Sequence, residues 1–121
     1  MTGTTLEAGR FGEIAAAAHL MNKGYKIICT NFRVRRSEID LVAKFNSCIV
    51  FVEVKTSSTH YPPRPSKGQI RRLICAANSF LVTQNVEAKK VRFDLIRVYT
   101  HKNSVKVRHL EDVFDSTSLL I

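Results

Sequence analysis

The sequence has no apolar run approaching the ~18 consecutive residues that a membrane-crossing helix needs. Its start, MTGTTLEAGRFGE, lacks the basic beginning, apolar stretch and small-residue cleavage site of a secretion signal. Both absences predict a cytoplasmic protein with no membrane association. Cysteine is equally sparse. Cys29, Cys48 and Cys75 are odd in number, fit no zinc spacing and sit among apolar neighbours, so they read as buried free thiols. His19, His60, His101 and His109 are scattered, which argues against a His-based zinc site or a Cys–His nucleophile pair. Repeats, low-complexity tracts and an interdomain linker are missing too. At 121 residues the chain suits one domain, residues 1–121, around one core.

Negative charge is the other scarce commodity. Ten Asp plus Glu stand against nineteen Lys plus Arg, a formal net charge of +9. A field of that sign draws polyanions, of which nucleic acid is the commonest. The few carboxylates are therefore worth locating one by one.

Local patterns give the element order. Thr5–Lys23 is rich in Ala and Leu and reads as a helix, with Gly24 placed to end it. Tyr25–Phe32, Glu38–Lys44 and Cys48–Lys55 read as strands, and the short 45–47 connection demands an antiparallel hairpin. Thr56–Ser66 holds all three prolines and reads as a loop. Ile70, Leu73, Ile74, Ala77 and Leu81 recur at helical spacing within Lys67–Val82. A polar stretch, Thr83–Lys90, precedes strands at Val91–Tyr99 and Val105–Arg108, and a short helix is expected over Glu111–Phe114. The fold class predicted is α/β: a mixed sheet flanked by helices, in the order αβββαβ with a short C-terminal β(α) extension.

The third strand carries the informative anomaly. Ile49, Phe51, Glu53 and Lys55 share one face, while Val50, Val52 and Val54 share the other. Both faces begin apolar, as in a covered central strand, yet one ends in a carboxylate and an ammonium. Charges there are costly unless paired or ligated. In the preceding strand, Ile39, Leu41 and Ala43 alternate with Asp40 and Val42. If residues 45–48 form a four-residue loop, Lys44 pairs with Ile49 and Asp40 falls opposite Glu53, with Cβ atoms roughly 5 Å apart. A one-residue slip would separate them. Glu13 lies in line with Leu6, Ala16, Ala17 and Leu20 on the helix face expected to dock on the sheet.

Carboxylates are the ligands Mg²⁺ prefers, and a bound Mg²⁺ lowers the pKa of water and neutralises charge building on a phosphate. Lys55 would position or deprotonate the attacking water, or stabilise the transition state. The competing account makes Asp40, Glu53 and Lys55 an ion-pair cluster at a hairpin end, and Glu13 a boundary residue paired with Arg10 or Arg33. Glu38 is expected at the strand edge, in solvent. Arg33, Lys67 and Arg71 adjoin the elements that build the site and are candidates for phosphate contact, whereas Lys89, Lys90 and Arg92 read as solvated. His60, Tyr61 and Arg64 in the 56–66 loop either close over substrate or belong to an unstructured connection.

The spacing D-x(12)-E-V-K after a helical Glu resembles the PD-(D/E)xK nuclease superfamily, including archaeal Holliday-junction resolvases. More narrowly, G-R-F-G-E at 9–13, G-Y at 24–25, N-F-R at 31–33, E-I-D-L-V at 38–42, V-F-V-E-V-K at 50–55, R-R-L at 71–73 and R-F-D at 92–94 resemble the YraN-like family of small bacterial endonuclease-like proteins. The resemblance runs over nearly the whole chain. It implies a restriction-endonuclease-like core and DNA, branched or damaged, as substrate. Asp40, Glu53 and the Val54 carbonyl would ligate Mg²⁺ (Mn²⁺ as substitute), with Lys55 the catalytic lysine and Glu13 an auxiliary acid. Gln69 stands where the family commonly has a helical Lys, near the place where some related nucleases use Gln, and joins the candidate nucleic-acid contacts. Ser37 replaces the family's usual Gly before E-I-D. A homodimer is expected by the same analogy, and a nucleic-acid-binding protein that keeps the fold but does little chemistry is the alternative function.

Overall fold

The computed structural model describes residues 5–57, 65–86 and 90–114, and His60, Tyr61 and Arg64 lie outside them. Among the described residues seven elements follow the expected order: α1 (Thr5–Asn22), β1 (Lys26–Val34), β2 (Ser37–Phe45), β3 (Cys48–Ser57), α2 (Lys67–Thr83), β4 (Lys90–His101) and β5 (Ser104–Phe114). The five strands form one mixed sheet in sequence order, antiparallel except for the parallel β3–β4 pair that α2 connects. Neither helix is long and apolar enough to cross a membrane.

Helix ends obey local chemistry. Gly24 adopts φ 92°, and its N–H and that of Tyr25 reach back to the Met21 and Leu20 carbonyls, each at 3.0 Å. This paired closure of α1 favours a residue without a Cβ. At the start of α2, Ser66 Oγ accepts from the Gln69 N–H while Gln69 Oε1 accepts from the Ser66 N–H. That reciprocal pair satisfies two donors the helix cannot satisfy itself.

The sheet buries both faces, as the apolar run of β3 requires. Val50 and Val52 pack with Leu41, Ala43, Ile96 and Val98 beneath Ala16 and Leu20 of α1. Ile49 and Phe51 pack with Val42 beneath Leu73, Ala76, Ala77 and Phe80 of α2. The β2–β3 hairpin has the expected register, Lys44↔Ile49, and closes one pair further at Phe45↔Cys48, so the turn is only Asn46–Ser47. Asn46 sits at φ 56°, a value Asn tolerates better than most residues.

Four expectations need correction. Glu111–Phe114 is strand, not helix: Phe114 pairs with Phe93 and packs in the cluster under α2, and the Asp112 N–H is drawn to the buried Asp94 carboxylate at 2.9 Å. Strict alternation fails in β2, because Ile39 belongs to the α2-side cluster and Leu41 to the α1-side cluster. The break falls at Asp40. Arg92 is not solvated, since Asp94 captures its guanidinium through two bonds of 2.9 and 2.8 Å. Among the cysteines only Cys48 is buried; Cys29 is half-buried and Cys75 exposed, all three as free thiols.

Candidate metal centre

Where β2 breaks alternation, its acidic residues turn toward α1. Glu13, Glu38 and Asp40 each bring a carboxylate oxygen to within 4.8 Å of the others. Oxygens around one Mg²⁺ at ~2.1 Å bonds lie up to ~4.2 Å apart, so small side-chain adjustments bring all three into one shell. They line a cleft with Gly9 and Arg10 of α1, Asn31 and Arg33 of β1, and Glu53, Val54 and Thr56 of β3. The approach of α1 to β3 depends on Gly12. A Cβ there would lie 1.9 Å from Thr56 Oγ1 and 3.1 Å from Thr56 Cβ. The neighbouring Glu13 reaches the cleft because the helix can sit that low.

The electrostatics of the cleft are unfavourable for bare carboxylates. Burial, then Glu53, then Glu13 and Glu38, push Asp40 from an ordinary 3.8 up to about 8. One contact opposes the rise, the Val54 N–H donating to Asp40 Oδ2 at 2.8 Å. Glu53 is raised as well, by burial first and by Glu38 and Glu13 after it, while Lys55 pulls the other way. Lys55 Nζ lies 3.7 Å from Glu53 Oε1, with both side chains largely buried.

The expected site residues divide into two groups. Glu13, Asp40, Glu53, Val54 and Arg33 all line the cleft, with Lys55 held beside Glu53. Arg33 is at its open edge, 3.4 Å from Glu38. Lys67 and Arg71 are exposed on the first turns of α2 and are not among the residues lining the cleft, and Gln69 has its carboxamide in the helix cap. Sequence reasoning left Glu38 out of the site, at the strand edge in solvent, whereas its side chain is only 34% exposed and lies beside Asp40 and Glu13. The signal available was its position two residues before Asp40, on the same side of the strand. Asn31 was also passed over as a site residue; an Asn inside a β-rich stretch was the hint.

A second polar cluster lies elsewhere on the sheet. Asp94 is fully buried and accepts from Arg92 Nε and Nη2, from the Asp112 N–H and, at 2.6 Å, from His109 Nε2. Burial would raise this carboxyl, but the bonds from His109, Arg92 and the Asp112 backbone outweigh it and hold Asp94 below the usual range. Arg92 also reaches Tyr25 Oη and Glu111. The four donors to Asp94 and the contacts of Arg92 tie β4 to β5 and to Tyr25, between α1 and β1.

Comparison with known proteins gives a consistent grouping. The model of a family described as "Uncharacterised protein family UPF0102" matches residues 12–98. A UPF0102 protein of Flavobacterium psychrophilum is 34% identical over 112 residues, covering 89% of this chain and 93% of its own length. One from Chlorobium chlorochromatii is 36% identical over 121 residues, covering 92% and 93%. Another, from Alkaliphilus oremlandii, is 36% identical over 115 residues, covering 88% and 96%. Among solved structures, Pyrococcus furiosus SfsA in complex with Ca²⁺ aligns over 88% of this chain and 62% of its own, with 20% identity and a TM-score of 0.40.

Proposed function

Starting from a chain that belongs to the UPF0102 family, the YraN-like group, we propose that it is a metal-dependent endonuclease hydrolysing DNA phosphodiesters. The observation that carries this reading is the convergence of Glu13, Glu38 and Asp40 within 4.8 Å, beside Glu53 and Lys55. The donor set fits the group. All four carboxylates are hard oxygen ligands, which suit Mg²⁺ or Mn²⁺ and not the thiolate- or imidazole-seeking metals. An Asp40 raised to about 8 by burial and then by its acidic neighbours is a carboxylate whose ionised form gains from a cation.

In this reading Asp40 is the central ligand, shared with Glu13 and Glu38 on one side and with Glu53 and the Val54 carbonyl on the other. The cation, when bound, lowers the pKa of water and neutralises charge on the scissile phosphate. Lys55, restrained by Glu53, donates to the attacking water or the phosphate oxygens. Arg10 and Arg33 meet the backbone at the cleft edge. Lys67 and Arg71, exposed on α2 and outside the cleft, would meet the backbone away from the metal centre. Gln69, its oxygen committed to the cap, has only its amide nitrogen to offer. Two copies acting together would present two such clefts to a duplex or junction.

The test is cleavage of linear, nicked and branched DNA with Mg²⁺, with Mn²⁺ and in EDTA. Metal-dependent products, lost in Asp40→Asn and in Lys55→Ala, are expected. Salt-sensitive binding without cleavage under any metal would replace the nuclease by a binding protein that keeps the fold.

A further inference from the structure

Asn31 stands between the two carboxylates that sequence reasoning did not bring together. It lies in β1 between Thr30 and Phe32, whose partners in β2 are Leu41 and Ile39. Its place is therefore beside Asp40, where β2 breaks alternation. Its backbone is left-handed, φ 52°, a conformation that Asn enters more readily than other residues with a side chain, Asp and His excepted. With its carboxamide nitrogen facing the cleft, Asn31 donates to Glu13 Oε1 and to Glu38 Oε1, 3.0 Å each. The opposite orientation would set a carboxamide oxygen against two carboxylate oxygens, so the bonding network assigns the nitrogen.

One neutral side chain thus joins α1 to β2 through β1. We infer that Asn31 is a positioning residue for the metal centre: its two N–H groups hold Glu13 and Glu38 together, aimed at the point they share with Asp40. The inference rests on the metal-centre reading above and deepens it. Two like charges at this spacing repel, and each bond from the amide to a carboxylate is a charge-assisted one. A lysine or arginine in the same place would neutralise the carboxylates and compete with the cation. An amide orients them and leaves their charge available. The left-handed backbone fixes the direction from which the amide arrives, and Gly12, by seating α1 low on β3, fixes the height of Glu13. Supporting groups of this kind typically change metal affinity about 10- to 100-fold.

The test uses the full chain and Asn31→Gly, which keeps the left-handed backbone and removes the amide. Mn²⁺ binding is followed by electron paramagnetic resonance, with circular dichroism confirming the fold. The expected result is a dissociation constant raised roughly tenfold or more; a variant that binds Mn²⁺ as tightly as the parent overturns the inference. A second measurement needs no metal. The Asn31 side-chain amide resonances should move in both Glu13→Gln and Glu38→Gln, and resonances indifferent to both substitutions overturn the bridge. A parent chain that binds no Mn²⁺ removes the metal reading and the positioning role with it. In that event the amide resonances still tell a purely structural bridge from none.

Discussion

Replacing Asp40 by Asn should remove a pH-dependent weakness from the metal-free protein. In the unfolded chain this carboxyl titrates near 3.8, and in the folded chain near 8. Below the lower value both states hold the proton and the group contributes nothing to pH dependence. Between the two values the unfolded state has released its proton and the folded state has kept it, so stability falls as pH rises. Above about 8 the loss is complete and constant. At about 1.4 kcal/mol per pH unit the ceiling is about 6 kcal/mol, reached if Asp40 titrated alone. Coupling to the neighbouring Glu53, whose carboxyl is raised as well, and residual solvent screening reduce the net figure to about 2–3 kcal/mol. Asn keeps an oxygen for the Val54 N–H and carries no charge.

Urea unfolding in EDTA, followed by circular dichroism at intervals from pH 4.5 to 8, measures the difference. The parent should lose about 2–3 kcal/mol relative to Asp40→Asn across that window. Curves that stay parallel within about 0.5 kcal/mol, the usual scatter for an inert surface change, would refute the argument that Asp40 is buried among like charges. Adding Mg²⁺ supplies the counterpart. Binding must release the Asp40 proton, so the stabilisation by metal should grow with pH up to about 8 in the parent and be absent from the variant.

Other substitutions probe the elements around the cleft. Gly12→Ala drives a methyl into Thr56 and should cost about 1–3 kcal/mol in denaturant unfolding, with weaker Mn²⁺ binding as α1 lifts Glu13 away. Asp94→Ala leaves Arg92 buried without its main partner and should cost about 3–5 kcal/mol. Because Asp94 is held below its ordinary value, the stability it gives is present at neutral pH and lost on acidification, the reverse of Asp40. Lys55→Ala should leave Mn²⁺ affinity nearly unchanged and lower single-turnover cleavage by roughly 10²–10³-fold, the usual cost of losing one group that stabilises transition-state charge.

Much of this architecture was legible because the signals that specify it are local. Alternation in CIVFVEVK marked a strand covered on both faces, and the packing of Val50 and Val52 under α1 and of Ile49 and Phe51 under α2 is that reading in three dimensions. Gly24 ended α1 by the chemistry of its own φ. The Lys44↔Ile49 pairing followed from a connection too short for anything but a hairpin. What escaped depended on residues far apart in the chain. Counting alternate positions along β2 cannot reveal that Ile39 and Leu41 pack on opposite faces, because the irregularity involves the left-handed Asn31 on another strand. Arg92 follows Lys89 and Lys90 and so looked solvated, until Asp94 is seen to be buried two residues on. The same carboxylate, by taking the N–H of the left-handed Asp112 (φ 55°), holds Glu111–Phe114 to β4 through an irregular register where a helix was expected.

Asp94 and Asp40 contrast a buried carboxylate that is satisfied with one that is not. Both are carboxylates set in the same sheet and largely shielded from water. Asp94 receives four donors, from Arg92 twice, His109 and Asp112, and is held below its usual range. Its lone pairs are spent, and a ligand could reach it only by displacing them. Asp40 has one donor among the described residues, the Val54 N–H, and three carboxylates for neighbours. A sequence that supplies four donors to one carboxylate is not short of the means to satisfy another, since Arg10 and Arg33 line the same cleft. Those cations stay at the edge, where Arg33 meets Glu38, and Lys55 is turned to Glu53 instead. Asp40 thus has no donor beyond Val54 among the described residues, and this is the deficit that the cation proposed above would answer.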